Sequence, residues 1–132
     1  MKAYLAGPID NCTIEECTAW RRDLAERLRP LGITCLDPTH NMSAKIGNPG
    51  KIVRGDKMSI LEARIVIAYC PFPSVGTSME ILFAYERARR VYVVSAQNAL
   101  SPWITYHATR IFRDFDQLVE WLGMGGGVGG IR

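Results

Sequence analysis

The chain has 132 residues, which is the size of one ordinary domain and too short for two separate hydrophobic cores. Hydrophobic residues make up 48% of the chain and charged residues 22%, a composition typical of a globular protein and not of a disordered one. The formal net charge of +3 is compatible with a phosphate-bearing small ligand, but it is too weak and too scattered to predict a nucleic-acid groove.

Targeting segments and metal motifs are not expected. Residues 1–10, "MKAYLAGPID", carry one lysine and only a short apolar run, so no secretory signal is predicted. No apolar stretch approaches the ~18 residues of a membrane span, so no membrane partner is predicted either. No zinc pattern emerges, and we expect reduced thiols in a cytoplasmic protein, because CxxC spacing is missing among Cys12, Cys17, Cys35 and Cys70.

The chain opens with a strand and a helix. Residues 2–6, "KAYLA", form a short apolar run that predicts a buried strand ended by Gly7-Pro8. From residue 13 apolar residues recur every three or four positions, which predicts an amphipathic helix. Thr13 and Glu16 have the spacing of a capping box at its start. Its polar side is expected to contain Arg21, Arg22, Glu26 and Arg27.

The remaining elements alternate between strands and helices. Strands are predicted at 33–36, 64–70, 91–95 and 110–112, and helices at 51–62, within 73–89, at 101–108 and at 115–122. This alternation predicts an α/β fold with a mostly parallel sheet and helices on both faces. Ligands of such sheets bind beyond the carboxyl ends of the strands. We expect one domain over 1–122 and a flexible glycine-rich tail over 123–132.

One acid follows the third strand at a place where ligands bind. It is Glu80, within "PSVGTSMEILFAYERAR" at 73–89. In one interpretation it closes a capping box with Thr77. In the other, a carboxylate in the first turn of a helix is kept ionised by the helix dipole and attacks the anomeric carbon of a nucleoside, as in retaining glycosidic chemistry.

A second acid is needed to hold or orient such a substrate. Asp56, one helix before the third strand, is the best candidate. Its neighbours Arg54 and Lys57 allow the simpler interpretation that Asp56 is a solvated helix acid.

Three stretches together resemble the nucleoside 2-deoxyribosyltransferase family. They are "YLAGPI" at 4–9, Asp56 ahead of the third strand, and "GTSME" at 76–80 followed by "FAYERAR". The resemblance covers roughly residues 3–122, with the three motifs in the same order and at the same spacing. It implies a Rossmann-like, flavodoxin-like fold with a five-stranded sheet. It also implies no metal or organic cofactor, and a homo-oligomer in which neighbouring subunits complete each site.

The resemblance assigns a role to individual positions. Glu80 corresponds to the nucleophile that forms a covalent glycosyl-enzyme intermediate, Asp56 to the acid that binds the sugar hydroxyls, and Tyr4 to an aromatic residue that contacts the nucleophile. Positions expected to contact the substrate are Gly7, Pro8, Ile9, Met42, Arg54, Ser74, Gly76 and Ser101.

The family contains transferases and nucleotide hydrolases, and this sequence has marks of both. Transferases usually carry an aspartate six residues before the nucleophile, whereas this chain has Ser74, which resembles the residue that binds a 5′-phosphate in the hydrolases. Ser101 resembles a serine that reaches the neighbouring subunit's phosphate, although it also suits a helix N-cap before Pro102. The stretch Pro8-Ile9-Asp10 instead resembles the transferases. The positive charge that binds a phosphate would therefore have to come from Arg21, Lys51 or Arg54.

Three functions follow in order of preference. The first is cleavage of the N-glycosidic bond of a nucleoside 5′-monophosphate, and the second is base exchange between deoxynucleosides. The third belongs to another class: a nucleotide-binding module without chemistry, in which Glu80 only caps its helix. In each case the expected partner is a small-molecule nucleoside or nucleotide, and not a nucleic acid or a membrane.

Overall fold

The computed structural model describes residues 1–40 and 47–126. Its strands are β1 (Lys2–Ala6), β2 (Thr34–Leu36), β3 (Ile65–Tyr69), β4 (Arg90–Val94) and β5 (Arg110–Phe112). Its α-helices are α1 (Ile14–Leu28), α2 (Pro49–Glu62), α3 (Val75–Glu86), α4 (Pro102–His107) and α5 (Phe115–Gly123), and a 3-10 turn (Arg29–Leu31) follows α1. Met42 and the last six residues of the predicted tail lie outside the described ranges.

The five strands form one sheet in the order β2-β1-β3-β4-β5. Every adjacent pair is parallel, and Tyr4 pairs with Val66, which in turn pairs with Val91. The prediction of a mostly parallel five-stranded sheet is therefore confirmed. The strand order is that of flavodoxin-like folds, in which the chain reverses direction across the sheet between β1 and β3, and ligands bind at that point.

Helices cover both faces of the sheet, as predicted. On one face, α1 and α5 pack on a core that includes Leu5, Leu24 and Leu118. On the other face, α2, α3 and α4 pack on a core that includes Tyr4, Ile60 and Ile81. Successive side chains of a strand point to opposite faces, which is why Tyr4 and Leu5 belong to different cores.

Local sequence signals set the ends of α1. The Thr13 side chain accepts a hydrogen bond from Glu16 N at 3.0 Å, and Glu16 accepts one from Thr13 N at 2.8 Å, so the predicted capping box is confirmed. Beyond α1, Gly32 caps the 3-10 turn with φ of 78°, a left-handed conformation that favours glycine.

Two further features of the fold bear on function. No helix within residues 1–40 and 47–126 is both long enough and apolar enough to cross a membrane. Beyond α5, Gly126 N donates a hydrogen bond to Trp121 O at 3.0 Å, so the chain turns back onto the helix at this point.

Candidate active site

A hydrogen bond between β1 and α3 forms the centre of the candidate site. The Tyr4 hydroxyl donates to Glu80 Oε2 at 2.5 Å, and Tyr4 is fully buried. These residues are 76 positions apart in the sequence and meet because α3 follows β3, the strand beside β1. The structure thus brings together two of the three positions predicted to be catalytic.

The expected capping box at the start of α3 is wrong. The helix begins at Val75 with Ser74 in the N-cap position, so Glu80 is its sixth residue and lies in the second turn. Thr77 is already inside the helix, and its hydroxyl donates to the Ser74 hydroxyl at 3.1 Å. Since Glu80 is outside the first turn, where the dipole acts most strongly, the expected stabilisation of its anion by the helix end is also wrong.

The surroundings of Glu80 favour its protonated form. Burial is the main cause that raises the pKa of Glu80 from 4.5 to about 8. The Tyr4 hydrogen bond lowers this pKa, while the charge of Asp56 and a hydrogen bond with it raise it. The pKa of Tyr4 is raised above its ordinary value, first by burial and then by the charge of Glu80, so Tyr4 remains a hydrogen-bond donor.

Asp56 approaches Glu80 from a second helix. It lies on α2, which packs against α3, and it is partly buried. The hydrogen bond between the two side chains favours protonated Glu80, as expected when two carboxyl groups share one proton. Asp56 therefore lies beside Glu80, and it is not the fully solvated helix acid of the alternative interpretation.

Arg21 contributes a positive charge that sequence reasoning placed wrongly. It was expected on the polar side of α1, but its side chain is fully buried. It lies on the same stripe as Cys17 and Leu24, at a spacing that faces the core. The position was therefore readable from the helical period. The charged residue type argues against burial, and two of the three carbonyls that accept its hydrogen bonds, those of Leu5 and Gly7, lie outside α1.

Backbone near the predicted substrate position is closely packed at the end of β1. Gly7 and Pro8 are buried, whereas Ile9 is partly exposed. A Cβ atom at Gly7 would overlap the ring of Trp20 and would lie 3.3 Å from Arg21 Nη2. Glycine is therefore required here by the close approach of the Trp20 ring.

Gly76, another predicted substrate contact, is an exposed glycine in the first turn of α3. Gly76 lies one helical turn before Glu80, on the same face of α3. A Cβ atom at Gly76 would meet no atom within 4 Å. The start of α3 is therefore open at Gly76, as the predicted contact with a substrate requires.

The two predicted phosphate serines line one small cavity. Ser74 and Ser101 border a cavity of about 90 Å³ together with Gln97 and Ser78. Ser101 also accepts a hydrogen bond from Trp103 N at 3.2 Å, so it is the N-cap of α4, as the simpler interpretation predicted. Sequence reasoning missed Gln97, which lies in the loop after β4; the general rule for parallel sheets points to that loop.

The predicted cations do not converge on this cavity. Arg54 is exposed, and its guanidinium lies over Gly50 of the same helix. Arg54 and Asp56 are two residues apart, so they point about 200° apart around α2. Lys51 and Asp10 are exposed.

Aromatic residues surround a larger cavity on the α1 side of the same edge. Trp20 packs on Tyr69 and Phe115 at ring-centroid distances of 5.0 Å and 5.6 Å. Trp20 and Tyr69 also border a cavity of about 300 Å³ together with Pro8 and Cys12. Among the residues that the structure describes, no group of three or more His, Cys, Asp or Glu side chains is placed to hold a metal ion.

Comparisons with known proteins identify the fold. No protein-family model matches the chain, and no curated protein matches it. Several solved structures do match the chain. A 2-deoxyribosyltransferase from the psychrotolerant bacterium Bacillus psychrosaccharolyticus is 23% identical, with a TM-score of 0.75 over 90% of each chain.

Two further structures share this fold. A 2-deoxyribosyltransferase from Leishmania mexicana is 15% identical, with a TM-score of 0.72 over 93% of this chain and 97% of that one. The Clostridium botulinum CMP N-glycosidase BcmB is 17% identical, with a TM-score of 0.67 over 95% and 99% of the two chains. The chain therefore has the fold of these enzymes along nearly its whole length.

Proposed function

We propose that this protein is an enzyme of the nucleoside 2-deoxyribosyltransferase type that cleaves the N-glycosidic bond of a nucleoside 5′-monophosphate. The observation that carries the proposal is the cluster of Tyr4, Glu80 and Asp56 on three different elements. A purely structural acid in α3 has no need of a buried tyrosine donor and a second carboxyl group. The resemblance of the sequence motifs and the shared fold support the same assignment.

The chemistry follows from the contacts of Glu80. Ionised Glu80 attacks C1′ of the sugar, an ester bond forms, and the bond from C1′ to the base nitrogen breaks. The base leaves with a proton, which the Glu80–Asp56 pair carries before the reaction. Tyr4 donates to the other carboxyl oxygen and orients the nucleophile, and Asp56 holds the sugar hydroxyls. Water then attacks C1′, and its hydroxyl stays on the sugar while its proton returns to the Glu80–Asp56 pair. The ester bond breaks, which releases the sugar phosphate and regenerates Glu80.

The preference for a 5′-phosphate is supported by the cavity at the start of α3. Ser74, Ser78 and Ser101 offer hydroxyl groups there, and the first backbone N–H groups of a helix favour an anion. Ser74 lies six residues before Glu80, or ~9 Å along the helix, which suits a pentose phosphate that reaches from one to the other.

Base exchange is the second candidate. It keeps the same nucleophile and replaces water by a second base as the acceptor. Pro8, Ile9 and Asp10 favour it by sequence resemblance, and the structures of two transferases share the fold. The third candidate, a nucleotide-binding module without chemistry, loses support because Glu80 does not cap its helix.

We also propose that the protein forms a homo-oligomer, as the resemblance implies. Trp103 and Tyr106 of α4 are 69% and 71% exposed, and Tyr85 of α3 lies beside Tyr106 with a ring-centroid distance of 5.8 Å. Exposed aromatic surface of this kind is typical of protein contacts. Sedimentation velocity measures the assembly, and Trp103→Ser is expected to shift it toward the monomer. A monomeric native protein would contradict the proposal.

The proposed nucleophile is tested by base release from nucleosides and their 5′-monophosphates. Glu80→Gln and Glu80→Ala are expected to lose at least about a thousandfold in kcat, as other enzymes do without their nucleophile. Intact-protein mass spectrometry should show a glycosyl adduct on the native enzyme and not on either variant. Full activity in both variants would end the proposal.

Substrate class and acceptor are separated by two comparisons. Ser74→Asp should weaken turnover of the 5′-monophosphate and leave turnover of the plain nucleoside unchanged, since an added carboxylate repels phosphate. Supplying a second free base should produce no new nucleoside if water is the acceptor. Efficient formation of that nucleoside would identify the transferase. Tight nucleotide binding without turnover would identify the binding module.

A further inference from the structure

Arg21 is a fully buried arginine whose partners are mainly backbone carbonyls. From α1, its Nε donates to Leu5 O at 3.2 Å, its Nη2 to Gly7 O at 3.0 Å, and its Nη1 to Cys17 O at 2.5 Å. Leu5 is the fourth residue of β1 and Gly7 comes directly after that strand. The guanidinium thus holds the carboxyl end of β1, the strand that carries Tyr4.

A nearby carboxylate only partly accounts for this charge. Asp37 Oδ1 lies 3.9 Å from Arg21 Nε, beyond hydrogen-bond distance. The same oxygen accepts hydrogen bonds from Thr39 N at 2.8 Å and Thr39 Oγ1 at 2.5 Å. Burial lowers the pKa of Arg21, and the charge of Asp37 is the main influence that raises it. A buried charge is costly unless other groups compensate it, and Asp37 supplies only part of that compensation.

The charge of Arg21 reaches the proposed nucleophile. It lowers the pKa of Glu80, and it lowers the pKa of Tyr4 as well. The other titratable groups that act on Glu80 are Tyr4 from β1 and Asp56 from α2. Asp56 disfavours the carboxylate, and Arg21 is the cation among these groups that favours it. A nucleophile must be ionised to attack, so the balance between these groups bears on catalysis.

Resting on the proposed function, we propose that Arg21 is a positioning residue for Glu80, which fixes the end of β1 beneath Tyr4 and supplies the buried positive charge that favours the ionised nucleophile. Arg21 acts through Tyr4, Gly7 and the field at Glu80, and it does not contact the substrate. This assignment differs from the sequence-based expectation that Arg21 grips a phosphate, because a fully buried guanidinium that already donates to three carbonyls is closed to that role.

The test measures the titration of the Glu80 carboxyl directly. Carbon-13 NMR of protein labelled at the glutamate side chains follows that signal with pH, and the spectrum of Glu80→Gln identifies it. Arg21→Met removes the charge, and Arg21→Gln removes the charge but retains an amide donor. Arg22→Met is the matched control, because Arg22 is the exposed neighbour on the same helix.

We expect the midpoint of the Glu80 titration to move upward by about half a unit or more in Arg21→Met and Arg21→Gln, and to stay unchanged in Arg22→Met. Arg21→Lys, which keeps the charge, should restore the native midpoint. In base release, the rising limb of kcat/KM against pH should move by the same amount, with a loss of about threefold or more at pH 6 and recovery at high pH. A merely structural arginine would change the melting temperature and leave the midpoint in place.

An unchanged Glu80 midpoint in folded Arg21→Met and Arg21→Gln would overturn the inference. The titration needs no substrate, so it stands apart from the question of activity. Absence of base release by the native protein would overturn the proposed function and leave the Arg21 result readable. Normal base release with unmoved midpoints would overturn the role of Arg21 alone.

Discussion

The two faces of the sheet bury different kinds of side chain near the carboxyl edge. Under α1 and α5 the strands meet leucines and aromatic rings, including Leu118 of α5. Under α2, α3 and α4 the aliphatic core that includes Ile81 gives way to the hydroxyl of Tyr4 and the carboxyl groups of Glu80 and Asp56. Apart from the buried Arg21 of α1, the first arrangement is one that packing alone accounts for, and the second is not.

The difference shows where stability and chemistry are separated in this fold. Burying an apolar side chain stabilises a protein, whereas burying a carboxyl group without a cation stabilises only its protonated form. The raised pKa of Glu80 means that ionisation of Glu80 opposes folding. The face that carries α3 therefore holds the proposed nucleophile at the expense of some stability.

Equal truncations on the two faces should give the largest effects. Leu118→Ala on α5 and Ile81→Ala on α3 each remove a fully buried side chain, and each should lower the free energy of unfolding by about 2–5 kcal/mol. Only Ile81→Ala should also lower kcat, because Ile81 adjoins Glu80 on the helix that aims it. Urea unfolding and base release at 25 °C measure the two quantities. Equal losses of activity in both variants would contradict the separation of the faces.

Removal of the Tyr4 hydroxyl should lower kcat more than it lowers the stability of the fold. Tyr4→Phe deletes the hydrogen bond to Glu80 Oε2 and keeps the ring in the core. A hydrogen bond to a charged group is worth about 1.5–3 kcal/mol, so kcat should fall about 10- to 100-fold. The Glu80 carboxyl pKa should rise, since its anion loses a donor. Rates of base release across pH test this, and unchanged rates would show that Tyr4 is only a core residue.

The smallest effect concerns stability and pH. The pKa of Glu80 is about 8 in the folded protein against an ordinary value of 4.5, so between these values the folded state binds more protons than the unfolded state. The free energy of unfolding should therefore fall as pH rises through this window. Native protein should lose about 1 kcal/mol more than Glu80→Gln between pH 6 and pH 7, where each pKa unit corresponds to about 1.4 kcal/mol.

Urea unfolding of the native protein and of Glu80→Gln at both pH values gives this difference. Other ionisable groups contribute to both proteins and cancel in the comparison. Parallel pH profiles for the two proteins would mean that Glu80 ionises normally in the folded state.

Much of the fold was readable from residue patterns. Strands β1 and β3 are apolar runs, α1 has a clear helical period and a capping box, and their alternation predicts the parallel sheet. The start of α3 was not readable, because Ser74 and Thr77 both suit a helix start and the spacing of Thr77 and Glu80 fits a capping box equally well.

The candidate site could be predicted only in part. Resemblance pointed to Tyr4, Asp56 and Glu80, which the structure brings together. Arg21 was misplaced, because its burial depends on carbonyl groups of Leu5 and Gly7 that come near only in the folded chain. The helical period places Arg21 on the buried stripe of α1, but these long-range partners leave no local pattern, so the sequence does not show what would compensate the charge.

The sequence separation of Tyr4 and Glu80 has a consequence for how activity is acquired. No two adjacent strands of this sheet are joined by a tight hairpin, so each pairing must wait for an intervening helix to be placed. The bond across 76 residues closes only once β1, β3 and α3 have assembled. A nascent chain that has not reached α3, or a nicked chain that has lost β1, has no oriented Glu80 carboxyl, so the proposed activity is withheld until both elements are in place.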